Sequence, residues 1–251
     1  MLAGGEVGTA ARLGTSMTFL QFAIGALNDI IDAPADLGRR PPKAIPAGLV
    51  TIDQVRVLVV LCAAIGLGLA SPSGAAVLAV AVAVLGIGFA YDVAAKGTPW
   101  SWLPFAIGIP LLPVYGWLGV TGMLPAAFFI LLPMAFLAGA GLAIANARSD
   151  LDADRRSGTR SVATALGGRR SWWAGVALMA AATAIGLLFI RPAAWSPATL
   201  ALVATGTAVV AIGLNVGRAE AAVTRRRAWE LQAIGAAIAA TGWVGGLLGG
   251  P

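Results

Sequence analysis

Eight apolar stretches constrain this chain more than any other feature. They run roughly 13–27, 54–71, 74–91, 101–119, 124–145, 172–190, 197–216 and 229–248. A bilayer-crossing helix needs about 20 predominantly apolar residues, and these stretches reach or approach that length. Lipid offers no partner for backbone N–H and C=O groups, so such segments must bond internally as helices. Composition agrees: 59% of the 251 residues are hydrophobic and 11% charged, where a soluble domain carries about a quarter charged. The chain therefore reads as an all-α integral membrane protein with eight visible transmembrane helices. Residues 1–251 form a single transmembrane domain in two pseudo-repeated halves, about 1–120 and 121–251.

A net charge of +6 invites a nucleic-acid reading, but the distribution argues against it. Fifteen of the seventeen basic residues lie on or beside alternate connectors, with Arg12 and Arg191 alone on the other side. Loops rich in Lys and Arg stay in the cytoplasm, which orients the bundle in a prokaryotic-type cell membrane. The single cysteine, Cys62, sits in an apolar run and reads as a small packed hydrophobe. Histidine is absent, which removes the commonest general base and zinc ligand. Met1–Glu6 lacks the basic and apolar regions of a signal peptide. Trp100, Trp102, Trp172, Trp173 and Trp229 fall near span ends, as interfacial anchors do. Pro104, Pro110, Pro113, Pro125 and Pro133 interrupt the two central spans, either kinking helices around a cavity or only disturbing their packing.

Two polar segments stand out against this background. Asn28, Asp32 and Asp36 are spaced i, i+4, i+8 where the first apolar helix reaches water, so on a helix they share one face. Asn146, Asp150 and Asp154 repeat the pattern at the end of another apolar span, and each set precedes a basic loop. Six of the eleven acidic residues fall in these two windows. Internal repeats in membrane proteins place equivalent ends at one site, so the two acidic tips are expected to face a shared mouth. Carboxylates this close repel one another unless a cation lies between them. An oxygen-only donor set selects a hard ion such as Mg²⁺, which shares its remaining positions with phosphate oxygens. The neighbouring arginines and lysines offer charge-assisted hydrogen bonds to the same phosphates. Such a layered site suits ionisation of an allylic isoprenyl diphosphate, because metal and basic groups stabilise the departing pyrophosphate. An apolar, water-poor cavity would protect the allylic cation until a nucleophile or an internal double bond captures it.

At these residues the chain resembles the UbiA superfamily of intramembrane prenyltransferases. Asn28-Asp29-x-x-Asp32-x-x-x-Asp36 is similar to the family's first motif, and Arg39 to Gly48 to its basic, proline-rich tail. Asn146-x-x-x-Asp150-x-x-x-Asp154 with Gly158 to Gly167 resembles the second motif, opening with Asn146 where Asp is common. Tyr91 and Lys96 resemble the family's Tyr…Lys pair. The resemblance implies an α-helical bundle around a central cavity capped on the cytoplasmic side, and Mg²⁺-dependent transfer of a prenyl group. It implies that Asn28, Asp32, Asp36, Asn146, Asp150 and Asp154 hold metal and diphosphate, all but Asn146 being direct metal ligands. It likewise implies that Arg39, Arg40, Lys43, Tyr91, Lys96 and Arg160 bind the diphosphate. The family carries nine spans, so Met1–Val7 reads as the end of a first helix missing here, and the second loop is short for an acceptor lid.

Other groups receive plainer readings. Asp29 and Asp152 point off the metal-facing stripe, as outer-lying or solvated carboxylates. Asp92 is either a further ligand or an interface residue. Arg225, Arg226 and Arg227 read as a topology anchor touching anionic lipid heads. The acceptor, lipophilic or aromatic, is not identified by any residue. A terpene cyclase of the same superfamily is the near alternative; a membrane transporter or a non-catalytic scaffold is the distant one. Transporters place ionisable groups near mid-membrane, and the spans here hold almost none.

Overall fold

The computed structural model describes residues 6–38, 42–190 and 195–248. Among them there are helices and turns and no strands. The chain divides into two compact units, one comprising 3–95 with 111–124 and the other 96–110 with 125–251.

The first unit is built from α1 (Val7–Asp32), α2 (Ile52–Ala70), α3 (Ala75–Ala90) and the second half of α4 (Leu103–Thr121), with a single π turn at Tyr91–Ala95 closing α3. Its α2 begins with a capping box, in which Thr51 and Gln54 satisfy each other's backbone N–H groups. The core gathers Leu13, Leu20, Ala70, Val77, Ala81 and Tyr115. Close contact between α1 and α2 depends on Gly66, because a Cβ there would lie 2.7 Å from the Leu20 side chain. A polar relay crosses this contact: Tyr115 Oη donates to Ser16 Oγ at 2.7 Å, and Ser16 Oγ donates to the Gly66 carbonyl at 2.7 Å. No hydroxyl is thereby left unpaired in an apolar setting, where an unmade bond is expensive.

The second unit holds α5 (Phe128–Ser149), α6 (Leu151–Ser157), α7 (Val162–Leu166), α8 (Gly168–Leu188), α9 (Pro197–Val216) and α10 (Ala222–Leu248), with the first half of α4. Here α9 and α10 approach almost backbone to backbone. A Cβ on Gly206 would meet Ala239 N at 2.3 Å, and one on Gly235 would meet Val210 N at 2.6 Å. Small residues at helix interfaces allow this close packing, on which helix association in lipid depends. Leu131, Met134, Trp195, Val203 and Trp243 form the core at the other end, with the two indoles edge to face at 5.5 Å.

Among the described residues seven helices are long and apolar enough to cross a membrane: α2, α3, α4, α5, α8, α9 and α10. The stretch expected at 13–27 lies inside α1, which is 26 residues long but diluted by threonines, Ser16, Gln21 and Asn28, and is not among the seven. Exposed apolar side chains such as Phe129 (85% exposed) and Leu188 (80%) are suited to lipid. The expectation that prolines interrupt the central spans is corrected: α4 runs through Pro110 and Pro113, and α5 through Pro133. Pro104 falls in the first turn of α4, where a missing N–H costs nothing, and Pro125 precedes α5.

Candidate active site

In the first unit α1 stops at Asp32, and Asp36 lies in the turn beyond it rather than on the helix. Pro34 ends the regular helix, but the Ala35 and Asp36 N–H groups both donate to the Asp32 carbonyl, at 2.9 and 3.0 Å. This tight turn folds Asp36 back beneath Asp32. Lys43 then reaches in from the following loop. Its Nζ is 2.8 Å from Asp36, 3.0 Å from Asp29 and 3.9 Å from Asp32. Asp36 is buried, Lys43 and Asp32 are half-buried and Asp29 is exposed. The hydrogen bond to Asp36 raises the Lys43 pKa above the usual lysine value, outweighing the partial burial that opposes it. Lys43 was expected on phosphate, and Asp29 off the site; the structure joins both in one ion-pair cluster.

Asn28 Nδ2 donates to Asp92 Oδ1 at 2.7 Å. Asp92 is 3% exposed and lies in the π turn, a feature often found at functional positions. The sequence alone leaves Asp92 as either a further ligand or an interface residue. The position of Asp92 next to Tyr91, already matched to a motif, was the available signal. Tyr91 opens the same turn and is half-buried, as is Lys96 in the next turn. Arg39 and Arg40 lie outside the described residues.

The second motif lies in the other unit, and it does not form a continuous helical stripe as its spacing predicts. Asn146 is in the last turns of α5, Asp150 stands at a break with φ −99° and ψ 2°, and Asp154 is in α6. The Asp154 N–H still donates to the Asp150 carbonyl at 2.8 Å, so the two carboxylates remain one turn apart. Burial raises the Asp154 pKa above the usual carboxylate range, and the charge of Asp150 adds to this, while a hydrogen bond from Ser161 opposes it. Gly158 ends α6 at φ +72°, and Ser161 with Thr164 caps α7 by a second capping box. Arg160 is exposed and lines a cavity of about 330 Å³ with Asp154, Thr159 and Thr164.

The reading of Arg225 as a lipid-facing anchor is corrected. Its guanidinium is 5% exposed, donating to Asp152 Oδ2 at 2.6 Å, to the Arg148 carbonyl at 2.7 Å and to the Glu220 carbonyl. Asp152 is therefore ion-paired while still half-exposed to solvent, and the hydrogen bond from Arg225 pulls its pKa below the usual carboxylate range. Arg148, also buried, donates to the carbonyls of Gly168 and Gly217. These bonds pin the start of α6, which carries the second motif, to α5, α8 and α10. The reading of Arg226 and Arg227 as surface residues is consistent with the exposed Arg226–Glu230 pair.

The donors around both motifs are oxygens, and among the described residues no group of three acidic side chains is spaced to hold a metal ion as it stands. The first cluster nonetheless holds a cation, the Lys43 ammonium, among three carboxylates. Its donors are carboxylate oxygens, the type that a hard divalent ion takes.

Apolar helices of membrane-crossing length, with one carboxylate-rich motif where α1 ends and another where α5 ends, define an all-helical integral membrane protein. Residues 2–244 match the UbiA prenyltransferase family. The chain belongs to that family, and it is a membrane prenyltransferase. It is 27% identical over 228 residues to a digeranylgeranylglyceryl phosphate synthase from Methanopyrus kandleri, covering 86% of this chain and 80% of the relative. Its fold resembles the apo structure of a UbiA homologue from Aeropyrum pernix K1, at a TM-score of 0.79 and 19% identity over 96% of this chain and 91% of the other. It also resembles a UbiA homologue from Archaeoglobus fulgidus solved with DMAPP and Mg²⁺, at a TM-score of 0.69 and 18% identity over 94% and 89%.

Proposed function

We propose that this protein ionises an allylic isoprenyl diphosphate with Mg²⁺ and transfers the prenyl group to a lipophilic acceptor. The observation that carries the reading is the cation-holding first cluster, in which Asp29, Asp32 and Asp36 surround one positive charge. The repeated Asn-x-x-x-Asp-x-x-x-Asp pattern in a chain of this family supports it. Asn28, Asp32 and Asp36 in the first unit, and Asp150 and Asp154 in the second, would be the metal ligands, and Asn146 would assist as a neutral oxygen donor. Bound Mg²⁺ neutralises charge gathering on the diphosphate oxygens. Lys43, Tyr91, Lys96, Arg160, Arg39 and Arg40 would donate to phosphate oxygens. With its nitrogen bonded to Asp92, the Asn28 amide keeps its oxygen available as a ligand. The allylic C–O bond breaks with its electron pair leaving on pyrophosphate. The acceptor forms the new bond to carbon and gives up its proton. Surrounding apolar side chains exclude water from the cation.

The acceptor is proposed to be a glyceryl phosphate lipid, a reading favoured over an aromatic one by the name of the M. kandleri relative. In the membrane, α1 is proposed as an eighth span, the two halves as pseudo-repeats in one domain, and the basic connectors as cytoplasmic. Incubating membranes with a panel of radiolabelled prenyl diphosphates, with and without Mg²⁺, and with glyceryl phosphate and aromatic acceptors, tests all of the chemistry. The expected result is Mg²⁺-dependent pyrophosphate release that is lost in Asp32→Ala and Asp150→Ala while the protein stays folded in detergent. Full activity in either variant overturns the site assignment.

A further inference from the structure

A second cavity, of about 630 Å³, opens where α5 ends and α6, α8 and α10 begin. Five arginines line it, Arg148, Arg155, Arg169, Arg218 and Arg225, against two acids, Asp152 and Glu220. Asp152 is already taken by Arg225. The base of the cavity therefore buries two guanidiniums with one partner carboxylate. Arg148 bonds only to carbonyls, and no hydrogen bond among the described residues uses its Nη1. Burying a charge is costly unless an opposite charge meets it. At the rim Arg155, Arg169 and Arg218 are exposed, and among the described residues none of the three joins an ion pair. Arg218 is held in place, its guanidinium 5.1 Å from the centre of the Trp172 ring. Trp172 is fixed in turn by its indole N–H, which donates to the Leu214 carbonyl at 2.9 Å. An indole anchored at a span end marks the depth of lipid headgroups.

We propose that this cavity is a phosphate-binding site distinct from the two acidic motifs. It takes the phosphate of an anionic lipid head or a free phosphate ion. Arg169 and Arg218 form the entrance and Arg148 the floor. Both sources share the chemistry that a planar guanidinium recognises, paired oxygens carrying negative charge. Basic pockets between transmembrane helices are suited to such heads.

The test uses the full chain, delipidated in detergent. Native mass spectrometry compares retention of phosphatidylglycerol with that of phosphatidylcholine, and thermal unfolding is followed as inorganic phosphate is added. Arg169→Gln/Arg218→Gln removes two cavity charges, and Arg226→Gln/Arg227→Gln removes two basic residues outside the cavity. The expected result is at least a tenfold preference for phosphatidylglycerol, or saturable stabilisation by phosphate, that falls about tenfold in the first double variant and persists in the second. Preference for phosphatidylglycerol without a phosphate response identifies the lipid as the source, and the reverse identifies the free ion. Equal loss in both double variants means unspecific charge attraction and overturns the proposal. So does the absence of any preference and any stabilisation in the wild type.

Discussion

The side-chain nitrogen of Asn28 lies 2.7 Å from Oδ1 of Asp92, tying the last turn of α1 to the π turn that ends α3. The first residue of the acidic motif is thus aimed by a carboxylate 64 residues away. A hydrogen bond to a charged partner contributes roughly 1.5–3 kcal/mol. Asp92→Ala is expected to lower kcat/KM for the prenyl diphosphate about 10- to 100-fold. Asp92→Asn, whose carbonyl can still accept from Asn28, should lose much less. Steady-state kinetics on detergent-purified protein of matched folding quality checks the pair.

Lys43 predicts a trade between two ligands. In Lys43→Met the carboxylates of Asp29, Asp32 and Asp36 lose their internal cation, so they should bind Mg²⁺ more tightly in the absence of substrate. The same variant lacks a donor for phosphate oxygens, so KM for the diphosphate should rise severalfold. Isothermal titration with Mg²⁺ and initial-rate kinetics read the two effects separately. A variant whose Mg²⁺ affinity falls would contradict the cluster's role.

Arg225 and Arg226 are neighbours in sequence with opposite consequences. Removing the buried Arg225 guanidinium leaves the Arg148 and Glu220 carbonyls and the half-exposed Asp152 carboxylate without their donor. Arg226 forms an exposed i, i+4 pair worth about 0.3–0.5 kcal/mol. Arg225→Met should therefore lower the detergent melting temperature sharply, and Arg226→Met should barely change it.

The same ion pair sets an acid limb. Asp152 has its pKa depressed by Arg225, so its stabilisation is complete above the unfolded carboxylate value of about 4. It is lost as pH falls through the lower folded value. The melting-temperature gap between wild type and Asp152→Asn should be constant from neutrality to about pH 5 and shrink as pH falls below the unfolded carboxylate value of about 4. A gap that widens on acidification would mean that the pair does not act as described.

Backbone contact between α9 and α10 makes Gly206 intolerant of any side chain. Gly206→Ala places a Cβ 2.3 Å from a backbone nitrogen, whereas a Cβ at Gly86 meets nothing within 4 Å. Overpacking typically costs about 1–3 kcal/mol, so Gly206→Ala should melt well below wild type and Gly86→Ala alongside it. Size-exclusion profiles after heating distinguish them.

The spans from α2 to α10 were legible in the sequence because hydropathy is summed over neighbouring residues and needs no knowledge of the fold. The two Asn/Asp motifs were legible for the same reason, since spacing along a chain is local. Together they were enough for the resemblance to the family. What they did not reveal were the partners. Periodicity extended the second motif as one helix, but at Asp150 the backbone breaks so that α6 can turn toward Arg225. Charge and position made Arg225 look like a surface anchor, since no acidic residue lies within a helical turn of it. Its partner carboxylate, Asp152, is 73 residues away. Asp92 and Lys43 likewise acquire their roles from residues brought near by packing. A residue's polarity and spacing are properties of the chain, whereas the charge that meets a buried guanidinium or carboxylate is chosen by which helices pack together, and only the tertiary structure decides that.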